Sequence, residues 1–188
     1  MKPIKLVGIF LIISAISVFA QKSEINLKES VVKWTGNKIG GSHNGDIKIK
    51  GGSIELKAGN IVKGNIVIDM KTISNADLKN EVYNKKLVDH LISDDFFGVE
   101  KYPTASFVLS KASKFKNGKA TLEGMMSIKG KAEKISFDVM KKNKEYTAQI
   151  KLDRSKFDIR YGSNSFFDNL GDKAIDDIFI LDIKLLVN

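Results

Sequence analysis

His43 and His90 are the only imidazoles in a 188-residue chain that contains no cysteine. Histidine can bind a transition metal through a neutral ring nitrogen or move a proton near neutral pH. A metal held by both rings would need a carboxylate such as Asp46 or Asp94 beside them, and nothing in the spacing demands that. Without cysteine there is no catalytic thiol and no thiolate metal site. No serine or other nucleophile stands in a recognisable setting. Both histidines are therefore read as polar contacts that fix a turn or a helix, with contact to a ligand head group as the next reading. Arg160 has Asp158, Asp168 and Asp172 near it in the chain and is read as half of a buried or half-buried structural ion pair. The cluster Asp168, Asp172, Asp176 and Asp177 lacks the ligand spacing and central glycine of a calcium loop and reads as solvated. The expectation is no catalytic residue, no metal and no cofactor.

The remaining candidates work by burial rather than by chemistry. From Thr104 onward apolar residues alternate with polar ones, as in strands with one buried face. The inward rows are Phe107 and Leu109; Met126 and Ile128; Phe137 and Val139; Ile150 and Leu152; and Phe179, Leu181 and Ile183. Two aromatic pairs, Phe96-Phe97 and Phe166-Phe167, lie in irregular segments and are read as the lining of a mouth or cavity. Each row is equally compatible with plain core packing, because a filled core and a lined cavity have the same pattern. Gly124, in an inward row where a side chain would otherwise fill space, favours the cavity.

The elements that must position these rows are short and antiparallel. Val32 and Trp34 share one strand face. The glycine-rich stretch Thr35–Gly41 is expected to bend and Ser42–Asp46 to turn or bulge, before a strand at Ile47 and Ile49 that ends at Gly51-Gly52. A further strand follows at Ile54 and Leu56, and Ile66, Ile68 and Met70 share the face of the next. The stretch from Leu87 to Phe107 departs from this pattern. Leu87, Val88, Leu91 and Ile92 have helical spacing and predict a short helix with one apolar stripe. Tyr102-Pro103 then forces an extended chain into the next strand. Such a helix is a plug that covers one end of the sheet. Antiparallel strands with one apolar face each must stack as two sheets or close on themselves, and periodicity leaves sandwich and barrel both open.

Length and a hydrophobic content of 43% suit one well-buried domain. Lys2 and Lys5, the apolar run Leu6–Val18 and the small residues up to Ala20 read as a secretory leader at 1–20, leaving a mature domain at 21–188 in a periplasmic or secreted setting. A run of 13 residues is shorter than the roughly 20 that span a bilayer, which argues against a retained anchor. The net charge of +9 falls to +7 once Lys2 and Lys5 leave. Only Arg154 and Arg160 are arginine, so the forks that grip phosphates and guanine edges are scarce and a nucleic-acid role is not expected. Transient contact with an anionic membrane surface is a better use of scattered lysines.

Five segments together resemble the YceI-like family: Trp34–Lys38, Gly41–Gly45, Asp69–Ile73, His90–Phe97 and Lys101–Phe107. Gly124–Gly130 is similar to that family's Gly-x-Leu-Thr-Ile-x-Gly strand, and Phe157–Gly162 to its Phe-x-Ile-x-Arg motif. The His-Leu-x-Ser-x-Asp-Phe-Phe segment is the most specific of these. The resemblance implies an all-β, eight-stranded antiparallel barrel of lipocalin-like shape with a short helical insertion. It further implies an exported protein that binds a long apolar chain, a polyisoprenoid or an isoprenoid quinone, inside the barrel, and it is compatible with a homodimer. The chain departs from the family pattern at Lys131-Ala132, where Val-Thr is common, and at Met125-Met126, where Leu-Thr is usual. Flexible methionine at the second place could reshape a cavity wall. Two other function classes stay open: a hydrolase or isomerase acting on a similar lipid, and a stress-related protein with a filled barrel that binds a partner through its lysine-rich face.

Overall fold

The computed structural model describes residues 20–188, so the leader expected at 1–20 lies outside the described residues except for Ala20. The chain forms β1 (Gln21–Glu24), β2 (Val31–Lys38), β3 (Gly41–Lys57), β4 (Asn60–Asp69), α1 (Glu81–Ile92), β5 (Thr104–Ala112), β6 (Lys119–Ile128), β7 (Lys131–Lys142), β8 (Glu145–Asp153) and β9 (Ile175–Leu186). Neighbouring strands pair in the order β3-β2-β9-β8-β7-β6-β5-β4, and β4 returns to β3. Eight antiparallel strands thus close into a barrel, which settles the choice between sandwich and barrel. The short β1, for which the sequence offered no clear alternation, pairs with the second half of β3.

The bend expected within 35–41 is the tight β2–β3 turn at Ile39-Gly40, where Gly40 has positive φ, preceded by a register shift against β9 between Gly36 and Lys38. The stretch 42–46, expected to turn or bulge, is instead regular strand paired with β2. β2 runs through Gly36 to Lys38, and β3 runs without a break from Gly41 past Gly51-Gly52 to Lys57. The glycines do not end the strand. They mark a register shift between Ile49 and Gly51 against β4, a bulge that bends one long strand so that it serves two parts of the wall. The Lys129-Gly130 pair, both at positive φ, makes the β6–β7 turn.

One end of the barrel carries α1 and the loop between β8 and β9. The helix begins at Glu81, earlier than the apolar spacing indicated, because Asn80 caps it: its Oδ1 accepts from the Val82 N–H at 3.0 Å and the Tyr83 N–H at 3.2 Å. Leu91 is buried and Leu87 packs against the core. Ile92, expected on the same stripe, is 38% exposed. The other end is made of the β3–β4, β5–β6 and β7–β8 turns, with the β1–β2 connection and the end of β9 beside them, where the Asn26 N–H donates to the Leu186 carbonyl and the Val187 N–H to the Lys144 carbonyl.

Closure is uneven. β6 and β7 pair along ten positions, from Lys119↔Met140 to Ile128↔Lys131. β7 and β8 pair only at Met140↔Thr147, Lys141↔Tyr146 and Lys142↔Glu145. Beyond Met140 the two strands separate, and the segment after β8, with Phe157 and Ile159 fully buried, follows this seam.

Candidate functional site

A partly enclosed cavity of about 190 Å³ occupies the barrel. Its wall is built from alternate residues of every barrel strand, as pleating requires. Phe107, Leu109, Met126, Ile128, Phe137, Val139, Ile150, Phe179, Leu181 and Ile183 line it where the alternation placed them, and Phe96 and Phe97 close it beneath α1. Phe107 meets Phe137 edge-to-face at 5.2 Å, and Phe96 meets Phe97 at 5.0 Å.

Three expected site residues lie elsewhere. Leu152 is buried but outside the cavity wall. Phe166 and Phe167 are 39% and 48% exposed in the β8–β9 loop, where the Arg160 guanidinium stacks 5.0 Å from the Phe166 ring. They belong to the outer surface because the loop folds outward from the barrel end. Gly124 does not leave empty space either: a Cβ there would collide with the Phe107 ring and the Val108 carbonyl oxygen. Phe107 occupies the room that the glycine provides.

Sequence reasoning missed the β3 and β4 part of the wall as a site. Ile47, Ile54, Ile61, Ile66 and Ile68 line the cavity, as do Trp34, Tyr146 and Leu185. The alternation of Ile66, Ile68 and Met70 was visible; the continuity of β3 through its glycines was not.

The wall is almost wholly apolar. Polar atoms come from Trp34, Ser106, Tyr146 and Thr147, and the Tyr146 phenol is the only ionisable group among the lining residues. Burial pushes its pKa above the ordinary value, so it stays neutral. A cavity of this kind can accept an apolar chain at about 0.8 kcal/mol per buried CH₂, and offers no site for a charge. Thr147, Ala148 and Ile183 belong both to this wall and to a shallow outer groove, so the wall is thin beside the short β7–β8 seam.

The candidate polar residues stand at the α1 end. His43 Nδ1 lies 2.8 Å from Asp77 Oδ2, and Asp77 Oδ1 accepts the Asn44 N–H at 2.9 Å. Burial alone would raise the Asp77 carboxyl; the Asn44 N–H, the His43 ring and the Asn75 amide together hold it at about 2. His90 packs its ring edge against Tyr161 at 4.3 Å and Phe96 at 5.7 Å, and its buried Nε2 has no hydrogen-bond partner. Neither histidine lines the cavity. Among the described residues no group of three His, Asp or Glu side chains is placed to hold a metal.

Arg160 is exposed and donates Nε to Asp158 Oδ1 at 2.6 Å, so it is not the buried arginine that was expected. That role falls to Arg154, 2% exposed. Its Nε donates to the Asp176 carbonyl at 3.0 Å, Nη1 to Ile159 at 3.0 Å and Tyr161 at 2.7 Å, and Nη2 to Ile175 at 2.9 Å. Asp177 Oδ1 lies 3.3 Å from Nη2, out of hydrogen-bond alignment, and its other oxygen accepts from Ser165 Oγ. Asp177 is thus part of the loop's anchor and not of a solvated cluster.

The sequence pattern of the family described as "YceI-like domain" matches residues 22–186. No curated protein is similar enough in sequence to match. Among solved structures, the Burkholderia cenocepacia protein BcnA superposes with a TM-score of 0.69 at 22% identity, covering 87% of this chain and 99% of its own. A polyisoprenoid binding domain from Saccharophagus degradans, implicated in plant cell wall breakdown, gives 0.58 at 11% identity, covering 88% and 97%. The Campylobacter jejuni YceI protein gives 0.53 at 20% identity, covering 100% and 99%. At these identities the likeness shows a shared fold.

Proposed function

The chain belongs to the YceI-like family, and from that premise we propose that it is an exported protein that sequesters or carries a long-chain isoprenoid-like lipid, a polyisoprenoid or an isoprenoid quinone, in its barrel. The observation that carries this reading is the apolar cavity with no ionisable wall group except a neutral phenol. The polyisoprenoid binding of the Saccharophagus degradans domain supports the ligand class. Binding by burial explains how the protein works without a catalytic group: each added five-carbon unit contributes a few kcal/mol of transfer free energy. Export is proposed from the composition of residues 1–20, and mass spectrometry of the exported protein is expected to find Gln21 at its N-terminus.

The test of binding is organic extraction and native mass spectrometry of the wild type and of Phe137→Asp and Ile150→Asp. Each substitution sets a carboxylate on the wall, where burial without a partner costs several kcal/mol. Folded variants, checked by circular dichroism, are expected to bind the chain at least tenfold more weakly. Wild-type protein that carries no lipid and takes up no quinone, polyprenol or fatty acid would overturn the reading.

A further inference from the structure

The positive charge of this protein is gathered at one end of the barrel. Three chain segments, 57–63, 111–119 and 141–144, contain nine lysines and no carboxylate. Residues 21–188 keep 29 of the 31 basic residues, Lys2 and Lys5 falling before them, and all 22 acidic ones. With those nine lysines set aside, the remainder carries 20 basic against 22 acidic residues. Outside the three segments basic and acidic residues thus nearly balance, and Glu29, Glu55, Asp138 and Glu145 are the carboxylates that border them.

The fold makes the three segments one surface. They are the β3–β4, β5–β6 and β7–β8 turns, at the end opposite α1. The Phe115 N–H donates to Asn60 Oδ1 at 2.8 Å, the Lys141 N–H donates to the Gly118 carbonyl at 2.7 Å, and Lys141 Nζ reaches the Gly59 carbonyl at 3.1 Å. Lys63 is neutralised by Glu55 at 3.1 Å and Lys119 by Asp138 at 2.8 Å. Lys57, Lys111, Lys114, Lys116, Lys142 and Lys144 are exposed and have no ion-pair partner among the described residues. Near α1, Lys85 is paired with Asp89 at 2.6 Å and Lys101 with Asp94 at 2.9 Å.

We propose that this lysine pole docks the barrel, turns first, on an anionic lipid bilayer. Lysines near such a surface attract it additively, and an end-loaded charge orients the molecule as well as binding it. Neither arginine lies at the pole, so the planar forks that grip individual phosphates or base edges are missing, which favours a diffuse charged surface over nucleic acid. Val62, 45% exposed between Lys57 and Lys63, adds an apolar contact at the same pole. The use of such docking, bringing the barrel to where lipids reside, rests on the carrier reading; the docking itself rests on charge.

The experiment is co-sedimentation of the mature protein with vesicles of phosphatidylcholine alone or mixed with phosphatidylglycerol, at low and at 0.5 M salt. Binding is expected only with phosphatidylglycerol and is expected to fall at least tenfold in high salt, where screening is nearly complete within a few Å. Lys114→Glu with Lys116→Glu is expected to lower partitioning at least tenfold. The same change of charge at the α1 end, Lys79→Glu with Lys86→Glu, is expected to lower it less than threefold. If the first pair perturbs the circular dichroism spectrum, Lys114→Gln with Lys144→Gln replaces it. Equal loss in both pairs, equal binding to both vesicle types, or no binding to either overturns the proposal. So does tighter, more salt-resistant binding to single-stranded DNA than to vesicles. Lipid content is measured by extraction on the same preparations: wild type that docks but holds no lipid counts against the carrier reading alone.

Discussion

Arg154 shows how one side chain can hold a loop. Its guanidinium supplies four hydrogen bonds to backbone carbonyls on both arms of the β8–β9 connection and stacks 5.7 Å from the Phe96 ring that closes the cavity. Burial lowers its pKa, and the Asp177 carboxylate offsets part of that effect. Arg154→Lys keeps a charge but cannot span four acceptors from one nitrogen. We expect it to lower unfolding free energy by roughly 2–3 kcal/mol, and Arg154→Ala by about 3 kcal/mol or more, measured by urea denaturation. Gly124→Ala is a second test at this scale. Its added methyl group would press on the Phe107 ring and the Val108 carbonyl, and the strain of overpacking is expected to cost about 1–3 kcal/mol.

At the scale of elements, the segment after β4 continues that strand's work by other means. Where β4 ends, the Ser74 N–H donates to the Asp46 carbonyl at 3.0 Å and the Ala76 N–H to Asn44 at 2.9 Å, so the loop keeps covering the edge of β3. Gly45 permits the approach, since a Cβ there would collide with the Ser74 carbonyl that accepts Trp34 Nε1 at 3.0 Å. Asn84 Nδ2, on the first turn of α1, donates to the Asn75 and Leu78 carbonyls at 3.0 Å and ties the helix to this loop. Asn80→Ala removes the helix cap and is expected to cost about 1 kcal/mol in thermal or urea unfolding. Asp77 gives the loop a pH dependence. Its folded pKa of about 2 lies below its ordinary 3.8, so its contribution is complete above the ordinary value and is lost as pH falls towards 2. The stability gap between wild type and Asp77→Asn is therefore expected to be largest at neutral pH and to shrink between pH 4 and pH 2. A gap independent of pH across that range would show that the carboxylate charge is not what stabilises the loop.

At the scale of the whole molecule, the barrel is closed by seams of unequal strength. The β6–β7 seam has ten paired positions and the β7–β8 seam three. No other backbone hydrogen bond replaces the missing ladder between Glu133 and Val139 among the described residues. Hydrogen exchange is expected to find the alternate amides of Glu133–Val139 that face β8 exchanging at least tenfold faster than those facing β6. Uniform protection along β7 would show that the seam is sealed in solution.

Much of this was legible from the chain alone. Ten of the eleven inward residues read from alternation line the cavity, because in a closed antiparallel sheet every inward position must face the same interior. The family motifs carried the barrel, and the helical spacing of Leu87, Val88 and Leu91 its plug. Local pattern failed where a distant partner sets the outcome. Gly51-Gly52 reads as a strand end and is a bulge, because β4 lies alongside to pair across it. Arg154 and Arg160 look alike in sequence, yet only the first points at carbonyls gathered by loop folding. Phe166-Phe167 repeats the composition of Phe96-Phe97 but lies outside the barrel. Gly124 reads as a space, and Phe107 fills it from the next strand. Periodicity records which face of a strand is apolar, since burial acts on each strand separately. Whether that face meets an empty volume, another ring or solvent depends on residues far away in the chain, and only the tertiary structure brings them together.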